Sequence, residues 1–205
     1  MLIEHEGRRP QIASSAYVAP TAVISGGVTI GEDSRILFGA VVTDDGGGVE
    51  IGDHCVIMEH ALVRGREGHP VRIGHNVLIG PFCHVNGAEI EEGAFIATGA
   101  SIFPGARVGR RAEVRIHGVV HVNSDLPSGA VVPIGWVAVG RPCQVLPPEA
   151  HDRIWSIQRE LDFPGTVLGV PRGADGSTPM SEAMAGYAEL FGRHRSDRIL
   201  ARQDG

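Results

Sequence analysis

Aromatic residues are scarce in this sequence, at 5% of 205 residues, and no apolar run approaches the roughly 20 residues that span a bilayer. A membrane span is therefore not expected, nor a thick core built on rings. Cysteine is equally sparse. Cys55, Cys83 and Cys143 form neither a metal-type C-x-x-C pair nor an even disulfide framework. With no secretory signal read at Met1-Leu-Ile-Glu-His-Glu, the expected compartment is a reducing cytoplasm. Cationic side chains are the minority, 18 against 24 acidic ones, for a net charge of -6 and a pI near 5.9. That balance argues against a polyanion binder, so nucleic acid is not an expected partner.

Glycine, by contrast, accounts for 29 residues, and the reason is a repeat. Over residues 71–108 an aliphatic side chain returns as Ile73, Ile79, Val85, Ile90, Ile96, Ile102 and Val108, a step of six shortened once to five. Four positions after several of these stands a small residue, as in Ile96-Ala-Thr-Gly-Ala100 and Ile102-Phe-Pro-Gly-Ala106. Neither the helical period nor the two-residue alternation of a hairpin strand produces that spacing. A parallel β-solenoid does. Each hexad is a short strand plus a turn, three hexads close one coil, and a core exists only because coils stack. Glycine serves the turns, and the thin prism admits few rings.

Taken in order, residues 1–17 read as a lead-in, with a candidate edge strand or cap near residues 12–17. The repeat is expected over residues 18–145. Its inward positions run Val18, Ile24, Ile30, Ile36 and Val42, jump to Ile51 across Asp44-Asp45-Gly46-Gly47-Gly48, and resume at Ile57 and Val63. They jump again to Ile73 across Arg66-Glu67-Gly68-His69-Pro70. Both insertions have the composition of corner loops. After Val120 the period frays into a closing coil. Residues 146–205 form a helical appendage, in which Ile154, Ile157 and Leu161 share one helical face and Met184, Tyr187, Leu190 and Phe191 another. Packing on the solenoid flank or a neighbouring subunit is the expected role of these helices, before a charged tail from residue 193.

The order of these irregularities, with Ile51-Gly-Asp-His, Val71-Arg-Ile-Gly-His-Asn-Val-Leu-Ile-Gly, Val85-Asn-Gly-Ala-Glu-Ile90 and Gly140-Arg-Pro142, resembles the γ-class carbonic anhydrase branch of the hexapeptide-repeat superfamily over residues 12–160. The fold class that the resemblance implies is a left-handed parallel β-helix with C-terminal α-helices. Its hand comes from the resemblance alone, since parallel crossovers otherwise prefer the right. The resemblance also implies a homotrimer with active sites between subunits, each zinc held by three histidines. Those ligand positions fall here on Arg64, Pro81 and Asn86. A guanidinium offers no lone pair, proline has no side-chain donor, and an asparagine amide is a poor zinc ligand. Zinc is thus not expected at the family position, nor is ordinary carbonic anhydrase activity. Where the family has an Arg-Gly-Asp segment and a glutamine, this chain has Thr43-Asp44-Asp45 and Met58, keeping only Asp45.

The replacements have a chemistry of their own. Arg64 beside Asn86, with Asp45 nearby and a histidine from His60 or His84, offers a fixed cation, an amide and a titratable base. Met58, Glu59, Pro81 and Phe82 are expected on the substrate side. The leading expectation is a metal-independent, acyltransferase-like enzyme acting on a small carboxylate or acyl substrate at the subunit interface. A coenzyme A thioester is the candidate cofactor, with Arg107, Arg110, Arg111 and Arg115 as receivers of its phosphates. A non-catalytic assembly or binding subunit is the alternative, in which Arg64 merely pairs with Asp45 or Glu59. A third reading, a carbonic anhydrase or hydrolase with a relocated metal, needs His60 or His84 from facing subunits. Corrected for the corners, the hexads stack Arg64, Asn86, Phe103 and His121 in one column and His60, Phe82, Gly99 and His117 in another. At about 4.8 Å per coil, His60 and His117 are roughly 14 Å apart, too far to share an ion. Cys55 and Cys83 read as core thiols.

Overall fold

The structure, a computed structural model, describes residues 1–174 and 176–201. Its strands are short because each hexad must turn, and they wind into three flat faces. Among the described residues the first face holds ten strands, and the second and third hold seven each. Successive coils pair in parallel, in a register that sets like upon like. Ile30, Ile51, Ile73 and Ile90 form one inward ladder, and Ile36, Ile57, Ile79 and Ile96 another. These side chains are almost wholly buried, with Ala40, Ala61, Cys83 and Ala100 filling the space between them. Burying an aliphatic side chain of this size contributes about 1.5–3 kcal/mol. The stack of coils is therefore what makes a core.

The corner between the third and first faces repeats one backbone conformation. Gly39, His60, Phe82, Gly99, His117 and Gly135 all have φ between 54° and 72°. Glycine adopts it freely, whereas other L-residues lose about 1–2 kcal/mol there. The rings offset this by stacking between coils. His60 lies on Phe82 at 5.2 Å and covers Gly39, where a Cβ would collide with the imidazole. His117 covers Gly99 in the same way.

The first coil begins earlier than the hexads suggest. Leu2–Glu4 already belongs to the first face, parallel to Val23–Ser25, and Gln11–Ile12 opens the second. Residues 1–17 are thus a coil rather than a lead-in, masked in sequence by the turn that joins His5 to Arg8. At the far end Gln144–Leu146 folds back antiparallel on Val137–Val139 and closes the stack.

From there the appendage returns along the first face. Helix α1 (His151–Gln158) buries Ile154, Phe163 packs on Phe103 and His121, and α2 (Met180–Gly192) brings Phe191 over Arg64. The charged tail expected from residue 193 is structured: Arg193–Ser196 is a 3-10 turn, and Arg198–Leu200 pairs antiparallel with Leu2–Glu4. An open strand edge attracts such pairing. Residues 202–205 of that tail lie outside the described residues. No helix among the described residues is long and apolar enough to cross a membrane.

Candidate functional site

On the first face the register aligns Ser25, Thr43, Arg64 and Asn86 in one outward column, and the same offsets carry it on to Phe103 and His121. Outward columns normally face water. This one is covered by the appendage, so Ser25, Thr43, Asn86 and His121 are all 4–6% exposed. Burial without pairing follows. Among the described residues, the buried side-chain atoms lacking a hydrogen-bond partner are Ser25 Oγ, Asp45 Oδ2, Arg64 Nε, Asn86 Oδ1 and His121 Nδ1. All belong to this column or, for Asp45, to the strand Val41–Asp45 that crosses it. Each such group costs about 1–3 kcal/mol if left unpaired, so a stripe of them is a surface that ordered water, a ligand or a partner would satisfy.

The first corner insertion positions the acidic member. Asp44 is fully buried. Its Oδ1 accepts the N–H groups of Gly46 and Gly48 at 2.9 and 2.7 Å. Its Oδ2 accepts Gly27 N–H at 2.9 Å and pairs with Arg8 at 2.5 Å. Asp44 is thereby committed to holding the loop, which leaves Asp45 for the site. Asp45 Oδ1 accepts the Thr43 hydroxyl at 3.1 Å and stands 3.4 Å from His194 Nε2. Its Oδ2 is 3.0 Å from Arg64 Nε. That contact is close enough for an ion pair but poorly aligned as a hydrogen bond, which is why both atoms count as unpartnered.

The tail completes the group. Asp197 lies 192 positions from His5 in sequence, yet its Oδ1 is 2.6 Å from His5 Nδ1, and its Oδ2 is 2.9 Å from His194 Nδ1. The two imidazoles stack at 4.3 Å. Burial alone would raise the Asp197 carboxyl, but the hydrogen bonds and charges of His5 and His194 outweigh it and hold it below the ordinary range. A depressed carboxyl contributes stability above its unfolded value, and that contribution is lost as pH falls through the folded one. The pairing of Arg198–Leu200 with Leu2–Glu4 should therefore loosen below about pH 4. Amide hydrogen exchange in these strands, corrected for intrinsic rates, should quicken between pH 5 and 3 in the native protein but stay flat in Asp197→Asn.

A cavity of about 220 Å3 opens between these groups, walled by Ile3, Val23 and Val41 and by Ser25, Thr43, Asp45, Arg64, His194 and Asp197. A larger hollow, about 300 Å3, lies on the second face. Its charges are already matched, Arg72 with Glu50, Arg110 with Glu92, and His75 with Asp53. It is a solvated ladder of ion pairs.

Of the residues expected at the site, Arg64, Asp45 and Asn86 come together on the first face. His84 starts the strand His84–Asn86, beside Leu62. Burial, and then the positive charge of Arg64, push its imidazole below the ordinary value, so it is neutral at pH 7. It meets the edge of Phe103 at 6.0 Å rather than lining the cavity. Met58, Glu59, His60, Pro81 and Phe82 sit on or beside the corner, and none lines the cavity of this chain. The arginine cluster is largely engaged: Arg107 bridges Glu91 and Asp125 at 2.5 and 2.8 Å, and Arg115 pairs with Glu113 at 2.7 Å. Burial pushes the Cys83 thiol up to about 11, as suits a core residue. His5, His194 and Asp197 were not expected, since none carries a repeat signal. Ser25 was also not singled out, although its place after inward Ile24 puts it on the Arg64 column.

A profile of the family described as Bacterial transferase hexapeptide (six repeats) matches residues 70–104. Among curated proteins, the mitochondrial gamma carbonic anhydrase 1 of Arabidopsis thaliana is 33% identical over 130 residues, which are 60% of this chain and 47% of that protein. A carbonic anhydrase of Geobacillus kaustophilus is 32% identical over 80 residues, 39% of this chain and 44% of that protein. The chain spans about half the length of the curated relatives it matches. Among solved structures, a hexapeptide transferase family protein from Anaplasma phagocytophilum is similar at a TM-score of 0.50 and 26% identity, covering 78% of this chain and 92% of that one.

Proposed function

We propose that this chain, which carries hexapeptide repeats and is similar in sequence to γ-class carbonic anhydrases, is an enzyme acting on a small carboxylate or acyl substrate in the cavity beside Arg64. The observation that carries this reading is the group of buried polar atoms without a hydrogen-bond partner on Ser25, Asp45 and Arg64, which line that cavity. Arg64 anchors the anion. Ser25 lines the cavity to orient it, and Asn86 lies next to Arg64 on the same column, outside the lining. His194, its Nδ1 held by Asp197, offers Nε2 to accept a proton from water or a hydroxyl group. At about 220 Å3 the cavity is smaller than sites for drug-sized ligands, roughly 300 Å3 upward. A coenzyme A thioester could insert only its acyl end.

The zinc that the resemblance implies does not fit its assigned positions. Arg64, Pro81 and Asn86 supply no usable lone pair, none, and a weak one, so no step is routed through that ion. The non-catalytic alternative calls for an interface pocket filled by Arg64, Met58 and Phe82, and the pairing of Arg64 with Asp45 at 3.0 Å agrees with it. The open cavity beside Arg64 within this chain supports the enzyme reading. We also propose the homotrimer. Phe38, Phe82, Ile116 and Ile134, at 50, 64, 42 and 65% exposed, project from the corner between the third and first faces. Such a ridge suits burial against a second copy.

Acetate, malonate and succinate, titrated one at a time by calorimetry and saturation-transfer NMR, test the anchor. At least one should bind, and Arg64→Gln should weaken it about 10- to 100-fold, the value of a charge-assisted hydrogen bond. Arg110→Gln, on the second face, should leave it unchanged. Equal losses in both variants, or no binding by any small acid, would sink the reading.

A further inference from the structure

His5, Asp45 and His194 come from three separate segments, yet each presents one ligand atom within 4.8 Å of the others. We propose that this group binds a divalent first-row transition cation of the zinc type. The site shares no residue with the positions that the resemblance assigns to zinc. It shares Asp45 and His194 with the substrate cavity described above but does not rest on that reading.

Three observations carry the proposal. The first is the tautomer. Each oxygen of Asp197 faces the Nδ1 of one histidine. Each Nδ1 is then a protonated nitrogen, and in the neutral ring each Nε2 keeps its lone pair, that of His5 lying 3.9 Å from Glu6 Oε2 and that of His194 3.4 Å from Asp45 Oδ1. One carboxylate thus orients two imidazoles as it would two metal ligands, the arrangement by which an outer carboxylate fixes and strengthens ligating histidines.

The second is the contact between His194 Nε2 and Asp45 Oδ1 at 3.4 Å. With Nδ1 protonated, two lone-pair atoms oppose each other across that gap. Only an imidazolium proton or a cation resolves it. The spacing matches the edge of a zinc tetrahedron, about 3.3 Å for ligand distances near 2.0 Å. The wider limit of 4.8 Å across the whole group means that binding draws the third ligand inward.

The third is the surroundings. His5 and Asp45 are 2% and 5% exposed, and Asp45, whose Oδ2 faces Arg64, lines the cavity and leaves Oδ1 toward His194. Two imidazoles and a carboxylate are the donors that zinc, cobalt and iron(II) accept, and the cavity leaves a fourth position open to water. Held by His5, Asp45 and His194, such an ion would supply Lewis-acid chemistry beside the cavity, and His194 would serve as a ligand rather than as a proton acceptor. Arg64 remains the anchor in either state.

The test uses the full chain, stripped with EDTA and titrated with Co2+ alone and then Zn2+ alone, following the visible cobalt bands and the heat of binding. The expected result is one ion per chain, with cobalt bands of the intensity of a four- or five-coordinate site. His194→Gln and Asp45→Asn should each weaken binding at least about 100-fold, and Asp197→Asn, which only orients the ligands, about 10- to 100-fold. His75→Ala, on the second face, should change nothing. His194 is the surface member of the group, so its variant keeps the test sound if His5→Ala does not fold. No saturable binding by the native chain, or unchanged binding in His194→Gln, overturns the proposal in favour of an imidazolium–carboxylate contact. Small-acid affinity, measured on the metal-free protein, is read separately, so either inference can fail alone.

Discussion

Asp44→Ala should destabilise the protein by about 3 kcal/mol, while Asp45→Asn, one residue on, should cost much less. Asp44 is wholly enclosed and its carboxylate serves three backbone N–H groups and Arg8. Removing it leaves those donors without their acceptor at the first corner insertion; Gly46 is exposed and Gly27, Gly48 and Arg8 are half-buried, so water replaces part of it. At about 1 kcal/mol for each donor, the low end of the usual 1–3 kcal/mol, the loss is about 3 kcal/mol, a sizeable share of the roughly 5–15 kcal/mol that holds a domain together. Urea unfolding of the two variants measures the contrast. A mild effect of Asp44→Ala would mean that the loop is held by its glycine backbone packing instead.

Arg64→Met should cost about 3 kcal/mol in stability, and adding Asp45→Leu should recover much of it. The single change leaves the Asp45 carboxylate buried with no guanidinium beside it, and stranding one member of a buried ion pair costs about 3–5 kcal/mol. Thr43 and His194 remain close to Asp45 and bring the estimate to the lower end of that range. The double change removes the charge that was stranded. A double-mutant cycle in urea should therefore give a coupling of about 2 kcal/mol between neighbours in contact. Strict additivity would show that the two side chains act independently, and that Arg64 is free to serve a ligand without structural cost.

The repeat was legible because it is local. Hexads such as Ile96-Ala-Thr-Gly-Ala100 state their own inward positions, and adding the corner insertions to the count placed Arg64 opposite Asn86, as the paired strands have it. The same arithmetic put His60 and Phe82 in one column. It did not say that this column is a corner in left-handed backbone, where a ring is retained for stacking on the next coil and over Gly39. Residue type alone does not separate a histidine packed on a corner from one aimed into a cavity.

The amino-acid sequence by itself determined the solenoid, its three faces, the column that carries Arg64 and the helices that follow. Each of these rests on a period or turn that short stretches of chain repeat. Tertiary structure decided the rest of the site. Arg198–Leu200 pairs with the open edge of Leu2–Glu4, and that pairing alone sets Asp197 and His194 against His5, Asp45 and Arg64. No period links residues 192 positions apart. Their meeting depends on Arg198–Leu200 finding the open edge of Leu2–Glu4, a long-range pairing that no local pattern encodes.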